Sequence, residues 1–156
     1  QKVGLRFTIS KQNINQLEDI FHLIEEEQID RVCFYHLVYS GRGSDMMKED
    51  ISHEEVREAL DFIIEKTLKI GDKVEILTVD NHADAVYLYL QAQKRYPHLA
   101  DQVFNLIKIN GGNRSGIAIA NVDHQGFVHA DQFTPQFSFG NVKERKFGDI
   151  WTDTTN

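Results

Sequence analysis

The stretch Arg31-Val-Cys-Phe-Tyr-His-Leu-Val-Tyr-Ser-Gly-Arg-Gly-Ser44 constrains the fold of this chain more than any other. From 32 to 39 almost every residue is aromatic or β-branched, a composition that suits a strand covered on both faces, as in a parallel sheet. Ser40-Gly-Arg-Gly43 then breaks the run. In α/β proteins the loop at the carboxyl end of such a strand is where ligands bind. Gly41 and Gly43 let the backbone approach a ligand or turn with positive φ, and Arg42 offers a planar, permanently charged fork for a carboxylate or phosphate. Without a ligand, the same residues make a tight strand-to-helix turn with a solvent-exposed arginine.

The flanking sequence supplies the rest of a strand-helix-strand unit. Val3, Leu5, Phe7 and Ile9 alternate with Lys2, Gly4, Arg6, Thr8 and Ser10, so the first strand has an apolar and a polar face. The polar face can meet water or line a ligand-filled lumen. Asn13 is placed to cap the next helix, in which Ile14, Leu17, Phe21 and Ile24 form an apolar stripe with Glu18, Glu25 and Glu26 largely off it. Beyond the glycine loop, 44–51 reads as a surface connection, and Ser52 with Glu55 forms a capping box. Val56, Leu60, Ile63, Ile64 and Leu68 then face inward until Gly71 stops the helix. A third strand over 74–79 ends in Asp80-Asn-His-Ala-Asp84, two carboxylates and a histidine at the entrance to a helix. Asp80 or Asn81 as an N-cap accounts for much of this cluster, and one histidine with nearby carboxylates is too few fixed ligands for a metal site.

Residues 85–95 and 99–109 read as helices on either side of Pro97. Asn110-Gly-Gly-Asn-Arg-Ser-Gly116 is a boundary, because the period changes there from helical to strand-like. The expected division is 1–110 and 111–156. In the second part Ile117, Ile119 and Asn121 alternate against Ala118, Ala120 and Val122, Asp123-His-Gln-Gly126 turns the chain, and 127–131 returns as a hairpin. Phe147-Gly-Asp-Ile-Trp151 should pack back on that hairpin. There is no internal repeat, low-complexity tract or heptad.

With 41% hydrophobic and 26% charged residues in 156, the composition is that of a folded globular chain. A formal net charge of -7 argues against a general nucleic-acid binder, which needs a basic face. No apolar run approaches the roughly 20 residues of a membrane span, and no signal-peptide pattern precedes the first strand. Cys33, the single cysteine, excludes an internal disulfide framework and any multi-cysteine metal site within this chain, which makes a reducing, cytoplasmic setting the default. Inside an apolar strand it reads as a small core hydrophobe.

Read in order, the chain resembles the carboxyl-terminal portion of a radical S-adenosylmethionine (radical SAM) enzyme with a SPASM-type extension. The group it resembles modifies tetrapyrrole side chains in haem d1 and alternative haem biosynthesis. Val3-Gly-Leu-Arg-Phe-Thr-Ile-Ser10 with Asn13, Tyr35-His-Leu-Val-Tyr-Ser-Gly-Arg-Gly-Ser44, and Leu77-Thr-Val-Asp-Asn-His-Ala-Asp84 followed by Gly111-Gly-Asn-Arg-Ser-Gly116 carry the resemblance. Asp123 to Asp131, Gly140-Asn-Val142 and Asp149-Ile-Trp151 resemble the hairpin and tail that open a SPASM domain. The resemblance implies an α/β fold: the carboxyl-terminal half of a partial (βα)6 radical SAM barrel with extra helices, then a β-hairpin opening a truncated SPASM-type domain. The earlier strands, the three-cysteine loop for the catalytic [4Fe-4S] cluster and the carboxyl-terminal auxiliary cysteines would lie outside this sequence. Two positions depart from the family pattern. Many SPASM hairpins end in a cysteine where this one has Asp131, and Asn121 stands where a cysteine is frequent.

The resemblance further implies S-adenosylmethionine and a [4Fe-4S] cluster as cofactors of the whole enzyme, a tetrapyrrole substrate, and a reducing partner such as ferredoxin or flavodoxin. Arg6 is then the candidate for the methionine carboxylate, with Thr8 or Ser10 on hydroxyls. Arg42 and Arg114 are candidate carboxylate clamps, His36 and His82 candidate axial ligands or proton donors, and Tyr39 a further substrate contact on the shared rim. Two functions of different kinds remain open: a fragment, inactive alone, of an enzyme that removes or decarboxylates a tetrapyrrole side chain, or a non-catalytic tetrapyrrole-binding or protein-interaction domain of the same fold.

Overall fold

A computed structural model describes residues 3–155. Lys2, expected on the polar face of the first strand, and Asn156 lie outside the described residues. The chain divides into two compact units, Gln1–Asn110 and Gly111–Asn156. Gly111 and Gly112, both with positive φ near 70°, end the last helix of the first unit, which the backbone of most other residues resists.

The first unit runs β1 (Gly4–Thr8), α1 (Leu17–Glu26), β2 (Arg31–Tyr35), α2 (His53–Ile70), β3 (Glu75–Val79), α3 (Ala83–Arg95) and α4 (Ala100–Asn110). Its strands form a parallel sheet in the order β1-β2-β3, with Arg6 beside Cys33 and Cys33 beside Leu77. Consecutive parallel neighbours joined by right-handed crossovers carry their helices on one face. The core lies there: Leu17, Phe21 and Ile24 of α1 and Ala59 and Ile63 of α2 close over Val32 and Phe34. Phe34 stacks on Phe21 at 5.5 Å and meets Phe7 edge-on at 6.1 Å.

This arrangement corrects the reading of 32–39 as a strand covered on both faces. Regular pairing ends at Tyr35, and burial alternates: Val32 and Phe34 are buried, while Cys33 and Tyr35 are only partly covered. Cys33 is therefore not a core residue. The opposite face of the sheet, with Arg6, Thr8, Cys33, Tyr35 and Leu77, is left partly open, and Leu77 is 40% exposed.

Local signals hold unevenly. The Ser52 capping box is complete, with Glu55 N donating to Ser52 Oγ at 3.2 Å and Ser52 N to Glu55 Oε2 at 2.7 Å. Gly71 ends α2 with φ 65°, but Leu68 faces outward. Asn13 does not cap a helix. Its side chain accepts from Ser10 N and donates to Thr8 O, both at 2.9 Å, so it fastens the end of β1 while a 3-10 turn over Ile14–Gln16 leads into α1. Asn81, not Asp80, serves the start of α3, by accepting from Ala83 N at 3.1 Å.

The second unit is a small antiparallel sheet, β4 (Asn121–Val122), β5 (Phe127–His129) and β6 (Gly140–Asn141), followed by α5 (Phe147–Trp151). The turn at 123–126 joins β4 to β5. The strand expected from Ile117 is absent: the Arg114 carbonyl accepts from the amides of Ile117, Ala118 and Ile119, which curls the segment and leaves Ile117 and Ile119 exposed. Ile150 of α5 is buried against Gly140, and Trp151 stacks on Phe147 and meets Phe139 edge-on. Among the described residues, no helix is long and apolar enough to cross a membrane.

Candidate functional site

Parallel strands bring their carboxyl ends to one rim, and the polar groups of the first unit converge there. A cleft of about 470 Å³ is lined by His36, Tyr39, Asp50, His53, Asp80 and Asn81, among others. His36 follows β2 directly, and its amide still donates to Val79 O at 3.1 Å. Its ring Nε2 lies 2.7 Å from Oδ2 of Asp84, a buried carboxylate in the first turn of α3. Asp84 Oδ1 is also buried and has no hydrogen-bond partner. The Asp84 amide donates to Asn81 O at 3.3 Å, which fixes the turn that presents it.

Two further carboxylates complete the cleft. Asp80 holds φ 70°, a left-handed conformation that non-glycine residues adopt rarely, and this bends the chain sharply between β3 and α3. Burial pushes its carboxyl up, against the pull of Arg6, His36 and His82. The Tyr39 hydroxyl donates to Asp50 Oδ2, and that bond, with some burial, raises the phenol above its ordinary value. A second cleft of about 310 Å³ lies on the helical side, where Glu18, Glu55, Glu58 and Asn15 line it with Ile14, Leu17, Ala59 and Phe62, without a histidine.

The residues singled out in the sequence fall in several places. Arg6 and Thr8 share the open face of the sheet; the Arg6 guanidinium sits 4.6 Å above the Tyr35 ring and donates to the Tyr35 hydroxyl. Ser10 is buried past the end of β1, with its carbonyl accepting from the amides of Asn13 and Ile14. His36 and Tyr39 line the same cleft, whereas Arg42 and His82 do not line it. Arg42 is exposed in a 3-10 turn over Gly41–Glu49. That turn depends on Gly41, with φ 56°, and on Gly43, where a Cβ would fall 2.0 Å from the Val38 carbonyl oxygen. His82 is exposed just before α3, and Arg114 is exposed in the second unit. Asp84 is one of the two carboxylates that the sequence marks in 80–84, whereas nothing in the sequence singles out Asp50 or gives Tyr35 a ligand role. Tyr35 could have been found, since it lies two positions from Cys33 and therefore on the polar face of β1's neighbour.

In the second unit His129 is buried. Nδ1 lies 2.5 Å from Phe137 O and Nε2 3.3 Å from Asp123 Oδ2, so both ring nitrogens face acceptors. The Phe137 carbonyl, more than Asp123, raises the imidazole above its ordinary value. Asp131, where the family pattern has a cysteine, accepts from Phe133 N at 2.8 Å and Thr134 Oγ1 at 3.0 Å, a turn-forming role.

Comparison with known proteins places this geometry in context. The chain is 56% identical over 158 aligned residues, 99% of its length, to Fe-coproporphyrin III synthase of Methanosarcina barkeri, and 41% identical over 97% of its length to pre-heme d1 synthase of Dinoroseobacter shibae. Along nearly its whole length the chain is similar to these two synthases. It spans 40% and 39% of those two relatives. No family model and no solved structure matches the chain.

The residues present do not fit an iron–sulfur cluster. A cubane needs at least three thiolates, and the sequence has only Cys33. Among the described residues, no group of three or more histidine, cysteine, aspartate or glutamate side chains could hold a metal ion.

Proposed function

We propose that this chain is the substrate-holding part of a radical SAM enzyme that removes or decarboxylates a tetrapyrrole side chain in haem or haem d1 formation. The observation that carries this reading is the 56% and 41% identity, across almost every residue, to two synthases named for iron coproporphyrin and a haem d1 precursor. The three-stranded parallel sheet with helices on one face and a polar, partly open opposite face supports its reading as part of a (βα)6 barrel wall, and the small sheet of 111–156 is read as the opening of a SPASM-type extension.

On this reading the open face belongs to S-adenosylmethionine. Arg6, stacked on Tyr35, keeps further N–H groups for a carboxylate, and Thr8 is exposed beside it on the same face; Ser10, being buried, is the weakest of the three. The rim belongs to the tetrapyrrole, with Arg42 for its carboxylates and His36, His82 and Tyr39 for its core or its protons; Arg114, in the second unit, is the other candidate carboxylate clamp. In the whole enzyme, S-adenosylmethionine and a cluster held by cysteines other than Cys33, reduced by a partner such as ferredoxin or flavodoxin, would supply hydrogen abstraction from a side chain. The chain's own residues bind, orient and exclude water.

The single thiolate favours a second reading for the chain by itself, that of tetrapyrrole binding without catalysis. Anaerobic iron–sulfur reconstitution of the 156 residues with dithionite and S-adenosylmethionine should give no 5′-deoxyadenosine above a no-protein control, while coproporphyrin III, with or without iron, should bind saturably. Failure of both porphyrins to bind would overturn the proposal. Production of 5′-deoxyadenosine would overturn the assignment of cluster chemistry to residues outside this chain.

A further inference from the structure

We propose that His36, held through Nε2 by the buried Asp84, is the single protein ligand to the iron of a tetrapyrrole seated at the carboxyl rim of the parallel sheet. This rests on the tetrapyrrole reading above and selects one residue and one atom within it. A metal-ligating histidine almost always donates its other ring N–H to a carboxylate or carbonyl, which fixes the tautomer and raises the basicity of the free nitrogen. His36 meets that condition. Asp84 Oδ2 at 2.7 Å can only accept, so Nε2 donates and Nδ1 keeps the lone pair. Asp84 Oδ1 has no partner, so the carboxylate's charge is directed at the His36 ring and at the amino end of α3.

Three other observations narrow the ligand. A bare cation needs several protein donors, and no group of three such side chains occurs among the described residues. An iron that arrives in a macrocycle brings four nitrogens and needs one axial donor. The cleft wall carries Asp50 and Asp80, with Asp84 behind His36, so it repels ligand carboxylates and suits the positive core of a ferric tetrapyrrole. The carboxylates then belong outside the cleft, where Arg42 is exposed. His82 and His53 are weaker candidates, because among the described residues His36 is the only rim histidine bonded to a carboxylate.

The test compares Fe-coproporphyrin III with metal-free coproporphyrin III on the 156-residue chain. The iron form should bind about tenfold or more tightly than the metal-free form, and its ferrous complex should show an iron–histidine stretching band in resonance Raman spectra. Asp84→Asn should move that band to lower frequency and weaken iron-form binding roughly tenfold. His36→Ala should abolish the band and equalise the two affinities, with metal-free binding retained as the check on folding; His22→Ala, on the exposed side of α1 beside Glu18, should change neither. Should His36→Ala fail to fold, the wild-type band and its shift in Asp84→Asn decide. A wild-type ferrous complex without the band, or a band unmoved by Asp84→Asn, overturns this inference while porphyrin binding still supports the broader reading. Binding of neither porphyrin overturns both.

Discussion

The two faces of the parallel sheet are made from the same three strands and meet different surroundings. On one, Leu5, Phe7, Val32, Phe34 and Ile76 are sealed by α1 and α2. On the other, Arg6 stacks on Tyr35, Arg31 pairs with Glu75 at 2.6 Å, and Cys33 and Leu77 remain partly open. The sealed face stabilises the unit, because burial there removes large aromatic and aliphatic surface from water. The open face mixes charged and polar groups on all three strands, Arg6, Thr8, Arg31 and Glu75, with the less polar Cys33, Tyr35 and Leu77.

The comparison breaks most directly at adjacent residues of β2. Phe34→Ala should cost about 3–5 kcal/mol in urea unfolding, since it leaves a cavity between Phe21 and Phe7. Tyr35→Ala, one residue on and facing the open side, should cost about 1 kcal/mol or less. Equal costs would mean that the open face is as structural as the core. At the rim, Gly43→Ala should destabilise by about 1–3 kcal/mol, because the added methyl meets the Val38 carbonyl. Gly41→Ala should cost about 1–2 kcal/mol through its left-handed backbone. Ser52→Ala, which removes half of a capping box, should cost about 1 kcal/mol.

The smallest effect expected is one of pH in the second unit. The folded pKa of His129 is raised, first by the Phe137 carbonyl, so its contribution is fully present below the unfolded value of about 6.5 and fades as pH rises through the folded value. For Asp123, burial is outweighed by the amides of Phe127 and Gln125 and by His129, which hold its carboxyl low. Its contribution is present above about pH 3.9 and fades as pH falls through the depressed value. Amide exchange of β5 should therefore be slowest between these limits, and His129→Gln should flatten the alkaline side. An unchanged alkaline limb would remove the imidazolium from the account.

Much of the first unit was legible because its signals are local. The Ser52-x-x-Glu55 box, the stripe Leu17, Phe21 and Ile24, and the alternation of Leu5, Phe7 and Ile9 each lie within a few residues. What escaped depends on chain reversal over longer spans. A run such as 32–39 shows apolar character but not which face the crossovers will cover. His36 and Asp84 are joined only because β3 lies beside β2 and α3 starts at once after it, so their pairing across 48 positions has no periodic signature. In the second unit, strands of two or three residues are too short for alternation to reveal, and the Arg114 carbonyl captures the amides that a longer β4 would have used. Arg42 and Arg114 are candidates by resemblance alone, and they stand in different units.

Hydrogen–deuterium exchange of the 156-residue chain with and without Fe-coproporphyrin III tests the central claim most directly. The account predicts added protection at 36–39 and 79–84, with little change in the α1 and α2 segments that seal the opposite face. Binding with protection confined to those helices, or to 111–156, would contradict the assignment of the tetrapyrrole to the carboxyl rim of the parallel sheet.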